Sequence, residues 1–306
     1  MQREVERIRE DIKELRIQGA KNVAKAAIGA MGLIARKSKA KSRDEFINEL
    51  LVAADELASA RPTEPMLRNA LRALFADIKK STGDVEELRR LVERNEVEYF
   101  RKVKENEEKI AEYGGREFSH SSVILTHCHS SSVVAILKRA NELSNGISVI
   151  CTETRPKLQG LITAKQLSSA GLKVTLIVDS AVSYFIRGVD SVVVGADAIT
   201  GKGDLVNKVG TAGIAVIAHE NGVNMYSAAE TFKFDPLTLW GGIEEIEERS
   251  PEEIINPNKL KGVGIRNPAF DVTPARYLTA YITEMGVIPP QSLLNVVLRG
   301  GFESLY

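Results

Sequence analysis

Two periods divide the chain. Through the first third, apolar residues return at three- and four-residue steps with charged residues between them, as amphipathic helices require. Leu67, Ala70, Leu71, Leu74, Phe75 and Ile78 share one face and predict a helix over 67–80. The same pattern predicts a second over 85–113, with Gly114-Gly115 as its stop. Helical stretches are interrupted at Ile17-Gln18-Gly19-Ala20 and at Arg61-Pro62-Thr63. From Ser122 the period changes. β-Branched runs predict strands over 123–126, 147–152, 174–178, 192–194 and 224–227, and the stretches 131–143, 163–170, 182–187 and 208–221 predict helices between them. Continuous apolar strands alternating with helices predict an α/β fold with a parallel, doubly wound sheet covered on both faces. The pattern predicts a helical N-terminal domain over 1–117 and a sheet domain over 118–306.

Composition sharpens the division. The 306 residues are 43% hydrophobic, enough for a large core, and 41 basic side chains balance 41 acidic ones. Neutrality excludes a global attraction to nucleic acid or anionic membrane. Residues 1–120 hold 25 of the basic and 23 of the acidic groups, which reads as the solvated faces of the helices. Two cysteines, Cys128 and Cys151, are too few for a disulfide framework and fit a reducing cytosol. MQREVERIRE has no apolar signal-peptide core, and no apolar run reaches the roughly 18–20 residues of a bilayer span. A cytoplasmic protein with no membrane and no nucleic-acid partner is expected.

In doubly wound sheets, ligands bind beyond the carboxyl ends of the strands. The first predicted strand runs into Thr126-His127-Cys128-His129-Ser130. Cys128 therefore falls at a strand end and a helix start, where backbone N–H groups favour a thiolate; the alternative is a small buried hydrophobe. Cys151, inside a strand, is read as buried. On an extended backbone His127 and His129 point away from Cys128, and neither CxxC nor HExxH occurs, so no metal is expected. The run 192–194 ends in Gly195-Ala196-Asp197. Asp197 is read either as a proton donor or acceptor with a pKa raised by its apolar surroundings, or as a turn or capping residue. Asn207-Lys208-Val209-Gly210-Thr211, expected at a helix start, offers amide, ammonium and N–H groups to a phosphate or a sugar. Arg155 and Lys157 follow the second strand and Lys233 the fifth. No GxGxxG occurs, and no cofactor is expected. These groups predict a pocket for a small, multiply anionic ligand, with Cys128 and Asp197 as acid–base candidates.

Together the segments resemble the family that joins the α, β and δ subunits of translation initiation factor 2B with sugar-phosphate isomerases. The resemblance rests on Thr126-His127-Cys128, Glu153-Thr154-Arg155-Pro156 with Gln159-Gly160, Gly195-Ala196-Asp197 and Asn207-Lys208-Val209-Gly210-Thr211. It extends forward to Gly19-Ala20 and Arg61-Pro62-Thr63 and back to Asn267-Pro268-Ala269-Phe270-Asp271-Val272-Thr273-Pro274. It implies a Rossmann-like C-terminal domain behind the helical one, and dimers assembled into hexamers. The Cys128/Asp197 pair marks the family's isomerases. The HCHS string and Glu230-Thr231-Phe232-Lys233-Phe234 point to those that turn α-D-ribose 1,5-bisphosphate into ribulose 1,5-bisphosphate in nucleotide salvage, with AMP as an activator. The resemblance implies Cys128 as the base at C2 and Asp197 as the acid at the ring oxygen. It further implies that Asn207 and Lys208 orient the sugar, that Gln159 is among the substrate-binding residues, and that Gly19, Ala20, Lys21, Arg61 and Lys233 hold phosphates. Arg155 and Lys157, from their position after the strand, are read as anion-binding, the alternative for Arg155 being a structural ion pair. Gln18 and Ser131 stand where related isomerases carry cations. The same Cys/Asp pair also occurs in methylthioribose-1-phosphate isomerases, and regulatory subunits of the factor share the fold without it.

Overall fold

Five helices open the chain: α1 (Gln2–Lys13), α2 (Ala20–Lys37), α3 (Arg43–Ala60), α4 (Pro65–Lys80) and α5 (Val85–Glu117). The computed structural model describes residues 2–144, 146–242 and 246–299, so the outermost ends of both sequence-predicted domains lie outside the described residues. Local chemistry sets the helix starts. The Ser42 hydroxyl accepts the Glu45 N–H at 3.2 Å to cap α3. Pro65 occupies the first turn of α4, where a missing N–H does no harm. The apolar faces then meet: Met31, Phe46, Leu50, Leu57, Leu67, Leu74 and Ile78 are buried in one core. Each such side chain stabilises the fold by about 1.5–3 kcal/mol. Small residues on α2 (Ala24, Ala27, Ala35) are buried along with them, and α2 packs on α4.

The second half alternates as predicted: β1 (Val123–Thr126), α6 (Ser131–Leu143), β2 (Ser148–Thr152), α7 (Gly160–Ser169), β3 (Lys173–Ile177), α8 (Val182–Phe185), β4 (Ser191–Val194), β5 (Ala198–Thr200), β6 (Leu205–Lys208), α9 (Thr211–Glu220) and β7 (Asn224–Ala228). It continues through β8 (Phe234–Asp235), β9 (Phe270–Thr273), β10 (Ala280–Thr283), β11 (Gly286–Ile288) and α10 (Pro290–Arg299). Among the described residues the main sheet has seven strands in the order β11-β10-β7-β4-β1-β2-β3. All its pairings are parallel except β10–β11. That order is the doubly wound, Rossmann-like arrangement, with its reversal between β1 and β4. A smaller antiparallel sheet contains β5, β6 and β9. The periodicity missed it because β6 (Leu205-Val206-Asn207-Lys208) and β9 (Phe270-Asp271-Val272-Thr273) are not continuous apolar runs.

Two expectations are corrected here. Gly114-Gly115 does not stop α5, which runs on to Glu117. A β-carbon at Gly114 would lie 2.6 Å from Ile136 Cγ1, so this glycine lets α5 approach α6 closely. Second, Asn207 and Lys208 lie on β6 and not at a helix start; α9 begins at Thr211.

The described residues form two compact units. One holds the residues up to Glu105 with Phe232–Phe234 and the described residues from Val297 on; the other holds Asn106–Thr231 and Asp235–Val296. Helix α5 contributes to both. No described helix is long and apolar enough to cross a membrane.

Candidate active site

The reversal of strand order decides where the chemistry sits. Strands β1 and β4 pair in parallel through Ile124↔Ser191 and Leu125↔Val192, about 4.8 Å apart. Cys128 follows β1 by two residues and Asp197 follows β4 by three, so both emerge at the carboxyl ends flanking the switch point. Gly195 makes the approach possible. A β-carbon there would come within 2.9 Å of Ser130 Cβ at the start of α6. Asp197 is half-buried, and its backbone N–H donates to Val206 O at 2.9 Å.

The Cys128 thiol departs from expectation. The helix start was expected to favour a thiolate; instead burial pushes the thiol up to about 12. Lys208 and the His129 N–H pull it down, while the charges of Asp197 and Asp179 push it further up. Desolvation disfavours the charged form more than these partial charges restore it. The backbone also departs: Cys128 has φ 68°, a left-handed conformation, so the histidines on either side are not related as on a strand. His127 is buried, with Nδ1 2.6 Å from Thr152 Oγ1 and Nε2 3.0 Å from Val209 O. Burial holds its pKa below the ordinary value, as it does for His129, whose Nδ1 lies 3.0 Å from Thr163 Oγ1. Cys151 is buried in β2, as expected.

Asn207 and Lys208 are both buried. Asn207 Nδ2 donates to Thr211 Oγ1 at 3.0 Å, and Lys208 Nζ lies 4.7 Å from the centroid of the Phe270 ring. Two of the N–H groups at this helix start already have a carboxylate acceptor. Asp271 accepts from Gly210 N at 2.7 Å and Ala212 N at 3.1 Å, capping α9 with a carboxylate. Burial raises the Asp271 carboxyl above its ordinary pKa.

The other expected residues fare unequally. Gln159 Oε1 is buried with no hydrogen-bond partner, an arrangement that disfavours the fold by about 1–3 kcal/mol unless a ligand donates to it. Arg155 is exposed; its guanidinium donates to Pro156 O at 3.4 Å and Ile254 O at 3.3 Å. Lys157 pairs with Glu253 at 3.3 Å. In the first unit, Gly19 sits at φ 83° before α2 and supplies no capping side chain. Ala20 is buried and Lys21 half-buried. Arg61 is buried in an ion pair with Glu64 at 3.2 Å, and Lys233 is buried too. Gln18, exposed, donates through Nε2 to Leu15 O at 2.7 Å.

Sequence reasoning passed over Asp179. Its carboxylate accepts from Thr154 N at 2.7 Å and Arg155 N at 2.6 Å, tying the end of β2 to the end of β3. The signal was present: Asp179 follows an apolar strand as Asp197 does.

Residues 16–290 match the initiation factor 2 subunit family. The chain belongs to that family. Within it, the chain is 45% identical to a ribose 1,5-bisphosphate isomerase of Methanocaldococcus jannaschii, over 94% of this chain and 92% of the relative. Two solved family structures superpose well. The translation initiation factor eIF-2B of Pyrococcus horikoshii gives a TM-score of 0.81 at 31% identity, covering 94% of this chain and 97% of that one. The 5-methylthioribose 1-phosphate isomerase of the same organism gives 0.80 at 32%, covering 97% and 88%.

Proposed function

We propose that this protein is an aldose–ketose isomerase that converts α-D-ribose 1,5-bisphosphate to D-ribulose 1,5-bisphosphate. The observation that carries the proposal is the Cys128/Asp197 pair flanking the switch point in a chain 45% identical to a ribose 1,5-bisphosphate isomerase. The 1-phosphate locks the substrate as a ring, so the C1–O bond to the ring oxygen must break as hydrogen leaves C2. Asp197 gives a proton to the ring oxygen, and Cys128 as thiolate takes the proton from C2. The Cys128 thiol, after exchanging its proton with solvent, delivers one to C1, and the C2 hydroxyl gives its own to the Asp197 carboxylate. Substrate and product are isomers, so no outside oxidant or reductant is needed.

The thiol is neutral at rest, and its titration responds to Asp197. Passing one proton from Cys128 to Asp197 creates thiolate and carboxylic acid together, with no change in net charge. Lys208, which favours the thiolate, assists that transfer. Gln159 Oε1 and the Asn207 amide orient sugar hydroxyls, and Lys208 and Arg155 attract the anion. Gly19, Ala20, Lys21, Arg61 and Lys233 contribute phosphate contacts in this proposal; the start of α2, which lacks a capping side chain, supports the first three. The proposal includes a cytoplasmic homo-oligomer, dimers built into a hexamer, and AMP as an activator. The sequence boundary at 117/118 between the two domains also stays part of it.

The test is turnover of the purified protein on ribose 1,5-bisphosphate and methylthioribose 1-phosphate side by side, with and without AMP. A higher kcat/KM for the bisphosphate is expected. Preference for methylthioribose 1-phosphate transfers the proposal to that substrate, and no turnover of either leaves a regulatory binding protein.

A further inference from the structure

Cys128 and Thr154 are two of the four non-glycine residues with positive φ among those described, at 68° and 63°, and they are hydrogen-bonded to one another. Left-handed backbone is unfavourable for a side chain with a β-carbon, and most so for a β-branched threonine. It persists where neighbours hold it. Both backbone polar groups of Cys128 are held by threonine hydroxyls from other elements: its N–H donates to Thr154 Oγ1 at 2.9 Å, and its C=O accepts from Thr163 Oγ1 at 2.9 Å. Both threonines are buried.

Hydrogen accounting gives the contacts a direction. Val209 O only accepts, so His127 carries its proton on Nε2 and Nδ1 accepts from Thr152. With the Thr152 proton committed, the Thr154 hydroxyl donates to Thr152, whose Oγ1 lies 3.3 Å and whose carbonyl O lies 3.4 Å away. A one-way chain runs from Cys128 N–H through Thr154, Thr152 and His127 to the carbonyl next to Lys208. Asp179 closes it from behind by taking the Thr154 and Arg155 N–H groups. On the other side Thr163 spends its proton on Cys128 O, so His129 donates from Nδ1 to Thr163.

We propose that Thr154 and Thr163 are positioning residues, holding Cys128 in its left-handed conformation and so aiming its thiol at the mouth of the β1–β4 crevice. The inference rests on the isomerase reading for its kinetic consequence, but not for its geometry. Thr154→Val keeps the β-branched shape and removes the hydroxyl, while Thr154→Ser keeps the hydroxyl. Expected for Thr154→Val is a kcat lowered about tenfold or more with KM within twofold, and for Thr154→Ser a kcat within threefold of wild type. Iodoacetamide labelling, read per cysteine by mass spectrometry, gives a second readout that needs no turnover. Thr154→Val accelerates labelling of Cys128 at least fivefold and leaves the buried Cys151 unchanged.

A Thr154→Val protein whose kcat and Cys128 labelling both stay within twofold of wild type overturns the proposal. So does equal acceleration at Cys128 and Cys151, which marks general loosening. If Thr154→Val does not fold, Thr163→Val reads the same constraint from the carbonyl side, with the same selective labelling expected and the same equality fatal. Should wild type fail to turn over the bisphosphate, the isomerase reading falls while the labelling arm still decides this one.

Discussion

A neutral, half-buried Cys128 with a desolvated thiol makes a quantitative prediction about its reactivity. Alkylating reagents attack the thiolate, and burial pushes the thiol from an ordinary 9.0 to about 12. At any pH below both values, the thiolate population of Cys128 is then about 1,000-fold smaller than that of an ordinary cysteine. The labelling rate of Cys128 should therefore climb about tenfold for each step of one in pH between about 7 and 10 with no plateau, whereas an ordinary thiol levels off near pH 9. Charge changes give the signs. Asp197 pushes the thiol up, so Asp197→Asn lowers its pKa and speeds labelling; Lys208 pulls it down, so Lys208→Met slows it. The assay is iodoacetamide labelling of the folded protein at fixed ionic strength, followed by mass spectrometry of the Cys128 peptide. A plateau near pH 9, or Asp197→Asn slowing the reaction, would refute the burial argument.

Further outcomes are expected from the same geometry. Cys128→Ser and Asp197→Asn should each nearly abolish kcat while substrate still binds in calorimetry; unchanged turnover in either removes that residue from the chemistry. Gly195→Ala places a β-carbon within 2.9 Å of Ser130 Cβ and should destabilise the protein by about 1–3 kcal/mol in urea unfolding; a neutral result means that β4 and α6 separate freely. Asp271→Ala frees the Gly210 and Ala212 N–H groups and should cost about 0.5–2 kcal/mol by the same measurement, with no change meaning that water replaces the cap. Turnover in deuterium oxide should place deuterium at C1 of the product if Cys128 carries the C2 proton; its absence would point to hydride transfer and retire the base role.

The sequence carried the architecture well because the main strands are continuous apolar runs and the helices between them have clear faces. It also placed Cys128 and Asp197, since each directly follows such a run. It carried less where meaning depends on packing. Gly114 reads as a stop, yet serves a close approach that only the position of Ile136 reveals. Asn207 and Lys208 read as a helix start because β6 is four residues long and its partners β5 and β9 lie on either side, with β9 far along the chain. For Cys128 the helix start and burial pull the thiol in opposite directions, which leaves both readings open in the sequence, and desolvation prevails. Thr154 and Thr163 gave no periodic signal at all, because their role lies in hydrogen bonds to backbone that folding brings near.

The most direct measurement is product identification. Purified protein is incubated with ribose 1,5-bisphosphate, and the sugar carbons are followed by NMR beside the Cys128→Ser variant. The account predicts that the anomeric C1 signal is replaced by a C2 ketone of ribulose 1,5-bisphosphate in wild type and persists in the variant. An unchanged spectrum in wild type, or equal conversion by the variant, would contradict it.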